Sequence, residues 1–101
     1  MPYAAPVADL LRSLSANGQL DQVLALPGYA DLGLGRDDIA AVIEEAGKFA
    51  TQVLDPLNRV GDLEGSRVTP EGVISAKGFK EAYQQFIAAG WPALAAPSAY
   101  G

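Results

Sequence analysis

The sequence predicts a mainly α-helical chain with one short β-hairpin near residues 66–75. Three observations carry that reading: apolar residues recur at helical spacing from Asp37 to Val60, two further stretches repeat the pattern nearer the ends, and Pro/Gly pairs separate them. The 101 residues suffice for one compact domain and not for two. A chain of this size buries only about 60–65% of the surface it exposes when unfolded, so the core it builds by itself is small.

Pro6 stands where a first helical turn tolerates proline, and Val7, Leu10, Leu11 and Leu14 follow at i, i+3, i+4 and i+7. Asn17-Gly18 is expected to stop this amphipathic helix, because both residues accept the left-handed backbone of a helix C-terminus. Leu20, Val23 and Leu24 predict a second brief helix, closed by Pro27-Gly28. From Tyr29 to Gly35 the helical period lapses and glycine recurs, which reads as a loop.

The strongest pattern follows. Ile39, Val42, Ile43, Ala46, Phe49, Ala50, Val53, Leu57 and Val60 fall on one stripe of a long helix, opposite Glu44, Glu45, Lys48, Gln52, Asp55 and Arg59. Glu44/Lys48 and Asp55/Arg59 are spaced four apart in the favourable order. Asp37 or Asp38 is placed to cap the helix start. Pro56 removes a backbone donor and crowds the preceding turn, so a kink or break is expected near Leu54 and Asp55.

Gly61 to Gly65 reads as a polar connection. Ser66-Arg67-Val68 and Val73-Ile74-Ser75 flank Thr69-Pro70-Glu71-Gly72, a hairpin that needs support from neighbouring structure. A last helix is predicted from about Ala76 to Ala89, with Phe79, Ala82, Tyr83, Phe86 and Ile87 on one face. Gly90 ends it, and Trp91-Pro92 confirms the stop. The tail from Ala93 to Gly101 is small and apolar, with no internal partner apparent in the sequence.

Seven Lys+Arg stand against twelve Asp+Glu, for a net charge of -5, and no basic cluster occurs. Nucleic acid and membrane surfaces are therefore poor partners, since both are bound by massed positive charge. The absence of Cys and His removes disulfides, a thiolate nucleophile, an imidazole base and an N/S zinc site. Met1 to Asp9 lacks the basic start and apolar core of a signal peptide, and no run approaches the ~20 apolar residues that span a bilayer. A cytoplasmic location is the resulting expectation.

The candidate chemical groups each have a simpler reading. The carboxylate sets Asp37/Asp38, Glu44/Glu45 and Asp62/Glu64 fall on polar faces or connections, where capping and solvation account for them. Glycines at 28, 33 and 35, or at 61 and 65, lack the spacing of a phosphate-binding loop and read as turns. Tyr83, Phe86 and Trp91 could stack on a planar ligand, but their helical spacing suits protein packing. Asp55, Asp62 and Glu64 do not fit a calcium loop. Catalytic, cofactor-binding and metal residues are thus all expected to be none within this chain.

Glu44 through Arg59, with Phe49 followed by Leu54-Asp55-Pro56-Leu57, resembles the N-terminal helix of acyl-CoA dehydrogenases. Gly78-Phe79-Lys80-Glu81-Ala82-Tyr83 through Gly90-Trp91, then Pro97-Ser98-Ala99-Tyr100-Gly101, is similar to that family's next helix, its glycine-tryptophan ending and its approach to a glycine-rich turn. Met1-Pro2-Tyr3-Ala4-Ala5-Pro6-Val7-Ala8-Asp9 resembles the opening of an N-terminally extended bacterial subgroup that includes enzymes acting on methylthioalkanoyl-CoA thioesters. The likeness covers nearly the whole chain, closest over 37–65 and 78–101 and loosest over 15–36.

The resemblance implies an N-terminal extension over 1–36 and an incomplete helical domain over 37–101, the N-terminal helical part of the acyl-CoA dehydrogenase fold. It implies that an FAD-holding β-domain, a C-terminal helical bundle and the catalytic glutamate of α,β-dehydrogenation lie outside these residues. The remainder of the same polypeptide, an acyl-CoA substrate and a homo-oligomeric assembly are the implied partners. The alternative reading is a free-standing helical module that lays its apolar stripe into a groove on another protein.

Overall fold

A computed structural model of the chain describes residues 3–97 and Ala99. Met1 and Pro2 of the N-terminal motif, and Ser98, Tyr100 and Gly101 of the C-terminal one, lie outside the described residues. The fold is mainly α with one two-stranded antiparallel hairpin, as the sequence predicts. It divides into two compact units, Met1–Gln52 and Val53–Gly101.

The first unit begins with α1 (Val7–Ala16) and α2 (Leu20–Leu24). Asn17 does not take the left-handed backbone expected of it: its φ is −88°, and it and Gly18 both donate to the Ser13 carbonyl, at 2.8 and 3.1 Å. The left-handed residue is Gln19, at φ 51° and ψ 49°. Gly18 serves another need, because a Cβ there would stand 2.8 Å from the Leu14 carbonyl oxygen. Pro27 does more than close α2. It occupies the first turn of α3 (Pro27–Ala30), and Leu26 before it is extended, the conformation a following proline enforces. Tyr29 and Ala30 are therefore helical, and the expected loop shortens to residues 31–35.

Next comes α4 (Arg36–Phe49), which packs with α1. Asp38, not Asp37, closes its N-terminus by accepting the Gly35 N–H at 2.8 Å. Lys48 pairs three residues back with Glu45, at 3.0 Å, in place of the expected Glu44. Before the end of this unit the backbone enters a π-helix, Ala50–Leu54, and α5 (Asp55–Glu64) follows directly. The expected break thus takes the form of a widened turn. Pro56 has no N–H to return to the carbonyl four residues earlier, and a turn bonded to i−5 gives its ring room within the first turn of α5.

In the second unit, α5 runs through Gly61 to Glu64, so the predicted 61–65 connection is helical except for Gly65. Gly61 is a notch within the helix, since a Cβ there would lie 2.5 Å from Cζ of Phe79. Two short strands follow, β1 (Arg67–Thr69) and β2 (Gly72–Ile74), paired Arg67↔Ile74, Val68↔Val73 and Thr69↔Gly72. The Thr69 hydroxyl donates to the Gly72 carbonyl at 2.8 Å, tightening the Pro70-Glu71 turn. At the hairpin base the Glu64 carboxylate accepts the Lys77 N–H at 2.9 Å.

The last helix, α6 (Phe79–Ala88), starts three residues later than the apolar pattern suggests. Gly78 explains the delay: its φ of +90° cannot continue a right-handed helix, so α6 begins only after it. Leu57, Gly61 and Glu64 lie at i, i+4 and i+7 on α5, and they meet Gly78, Phe79 and the Lys77 amide respectively. Gly90, at φ 86°, ends α6, and a 3₁₀ turn follows over Trp91–Ala93.

Candidate docking surface

Among the described residues, the buried apolar side chains are Leu20, Ala76 and Ala82. Two of the three are alanines. Hydrophobic burial scales with apolar area withdrawn from water, so these residues make a thin core for the size of the chain. Many larger apolar side chains are exposed. In the first unit Leu26, Tyr29 and Leu32 are exposed along α3 and the turn after it. In the second, Leu63, Val68, Val73, Tyr83, Ile87 and Leu94 are exposed.

The sequence-predicted stripe is half covered. Ile39, Val42, Ile43, Phe49, Ala50, Val53, Leu57 and Val60 are half-buried, while Ala46 faces solvent. The aromatic face of α6 divides in the same way. Ala82 is buried and Phe86 half-buried, but Phe79, Tyr83 and Ile87 are exposed. The Tyr83 and Phe86 rings lie nearly parallel with centroids 6.4 Å apart, so these two stack on each other. Trp91 is half-buried beyond the end of α6.

The candidate carboxylates are placed as surface groups. Asp37, Asp38, Glu44, Glu45, Asp62 and Glu64 are all exposed, with Asp38 capping α4, Glu45 paired to Lys48 and Glu64 bonded to the Lys77 amide. Among the described residues no three Asp or Glu converge as metal ligands. Gly28 lies in α3, Gly33 in a turn and Gly35 ahead of α4, whereas Gly61 and Gly65 lie in and just after α5.

One electrostatic contact had no signal in the sequence. Arg36, the first residue of α4, grips Asp21 of α2 with two prongs, Nε to Oδ1 at 2.8 Å and Nη2 to Oδ2 at 2.9 Å. The pair is fifteen positions apart, beyond the reach of any helical spacing rule. The hydrogen bond from Arg36, aided by its charge, holds the Asp21 carboxyl below the usual aspartate range. The same bond raises the Arg36 guanidinium. Lys48 is raised first by its hydrogen bond to Glu45, then by the charges of Glu45 and Glu44.

A shallow cleft of about 390 Å³ lies between the segment Ala4–Val7 and the residues Gly47, Lys48, Thr51 and Gln52. Gly47 is buried here because Ala5 sits on it: a Cβ at Gly47 would be 3.0 Å from the Ala5 Cβ. The cleft is mostly apolar, and its one cation, Lys48, is paired with Glu45 and lies near Glu44. Among the described residues no helix is long and apolar enough to cross a membrane.

No protein-family model matches the chain. Over all 101 residues it is 39% identical to the 3-methylmercaptopropionyl-CoA dehydrogenase of Ruegeria pomeroyi, and it spans 17% of that protein's length.

Proposed function

The chain is related over its whole length to an acyl-CoA dehydrogenase, and from that premise we propose that it is the N-terminal structural portion of an FAD-dependent enzyme of that kind. The complete enzyme would carry out α,β-dehydrogenation of an acyl-CoA thioester, with a sulfur-containing acyl group suggested by the relative's substrate. The observation that carries this reading is a match across every residue of this chain to a small fraction of a much longer dehydrogenase. The abundance of uncovered apolar side chains supports it, because a segment meant to be enclosed by more polypeptide has that surface.

In this reading residues 1–36 form an extension and residues 37–101 begin the helical domain, and no residue here acts in catalysis. The cleft beside Gly47 is poorly suited to the flavin. The cofactor's pyrophosphate calls for cations or a row of free backbone donors, whereas the cleft is apolar and holds a lysine already neutralised by Glu45. In this reading the FAD site belongs to the rest of the polypeptide, and the enzyme is a cytoplasmic homo-oligomer.

The test is the complete gene product. Purified protein should show flavin absorption bands and reduce an electron acceptor when given a saturated acyl-CoA thioester. A colourless product without that turnover would overturn the proposal. It would favour a helical interaction module, for which sedimentation with candidate partners is the direct measurement.

A further inference from the structure

We propose that the β1–β2 hairpin is a docking clip whose valine face seats on an apolar surface of the remaining polypeptide of the same dehydrogenase. This rests on the functional reading above and adds the surface through which the segment engages its own protein.

Val68 and Val73 are directly paired across the hairpin, so both side chains project from the same face. They are 86% and 72% exposed, the two highest values among the large apolar side chains described. The other face carries Arg67, Thr69 and Ile74 and includes the half-buried Thr69. The ribbon therefore turns its more apolar pair away from its own unit.

A two-stranded ribbon is weak alone, yet this one is held in place at both ends. Its tip is tightened by the Thr69 hydroxyl on the Gly72 carbonyl, and its base is closed by the Glu64 carboxylate on the Lys77 amide. A positioned ribbon with a bare apolar pair is what strand docking onto a second surface requires. The occupant follows from length. The matched relative is nearly six times as long as this chain, so most of such a protein is available to cover the hairpin without any second molecule.

The experiment uses the complete gene product with the photoreactive residue p-benzoylphenylalanine in place of Val68. Irradiation followed by peptide mass mapping should give a cross-link within one polypeptide, from position 68 to residues beyond 101. A cross-link joining two copies, a cross-link to a foreign protein, or no protein cross-link would each overturn the proposal. A second variant, Val68→Thr with Val73→Thr, keeps the β-branched shape and strand preference while removing the apolar match. It should speed amide exchange over residues 67–74 at least tenfold in the complete product, and an unchanged rate would overturn the docking. Flavin content reports separately on the enzyme assignment: a flavin-free product with the intrachain cross-link would sink that assignment and leave the clip standing.

Discussion

A side-chain carbon added at Gly78 would lie 2.6 Å from Cδ2 of Leu57, on a backbone with φ of +90°. Two penalties meet at this position, and they differ in size. Leu57 presents the flexible end of its side chain and can rotate away, whereas the backbone strain cannot be relieved locally. Gly78→Ala should therefore destabilise the protein by about 1–2 kcal/mol, the usual cost of a left-handed L-residue. Adding Leu57→Ala should restore little of it. Chemical denaturation of both single variants and the double variant checks this, and full rescue by the second change would show that the clash dominates.

The Glu64 carboxylate closes the hairpin base through the Lys77 amide. Glu64→Ala should cost about 0.5–1.5 kcal/mol, the net worth of one such bond. Glu64→Gln keeps an acceptor oxygen and should cost less. Hydrogen exchange at the Lys77 amide reads the contact directly: fast in the alanine variant, slow in the wild type and intermediate in the glutamine variant.

Gln19 is the one non-glycine residue with positive φ among those described. Gln19→Gly removes a left-handed strain of about 1–2 kcal/mol but loosens the unfolded chain by about 0.4–1 kcal/mol. The first effect wins, and a melting temperature higher by a few degrees is expected. A lower one would show that the Gln19 side chain stabilises the α1–α2 turn by more than its backbone costs.

Asp21 gives the protein a small acid sensitivity. Its folded pKa lies below its unfolded value because Arg36 favours the carboxylate. The stabilisation is complete above the ordinary aspartate pKa of about 4 and is lost as pH falls through the lower folded value. Both partners are exposed, so salt should weaken the effect. A titration followed by carboxyl chemical shift should place Asp21 below an ordinary aspartate, and Arg36→Gln should bring it back up.

The parts of this fold legible in the sequence are those governed by near neighbours. The 3.6-residue period places α1, α4, α5 and α6, and the Thr69-Pro70-Glu71-Gly72 turn places the hairpin. What the period misses is decided across the chain. Gly61 looks like a helix breaker and is a notch for Phe79, while Asp21 finds Arg36 fifteen residues away. Pro56 signals a disruption, but a local pattern does not say that the backbone will absorb it as a π turn. The apolar faces of the candidate docking surface are visible as stripes. Their division into covered and bare portions is not, because Ala82 and Tyr83 look alike in a periodicity and differ only once α6 has packed.

The fit between Gly61 and Phe79 ties two positions eighteen residues apart into one inheritance. A larger residue at 61 would push the Phe79 ring, already 41% exposed, further into water. Relatives that lose the glycine should carry a smaller side chain at the position of Phe79, so the two sites should change together as sequences diverge.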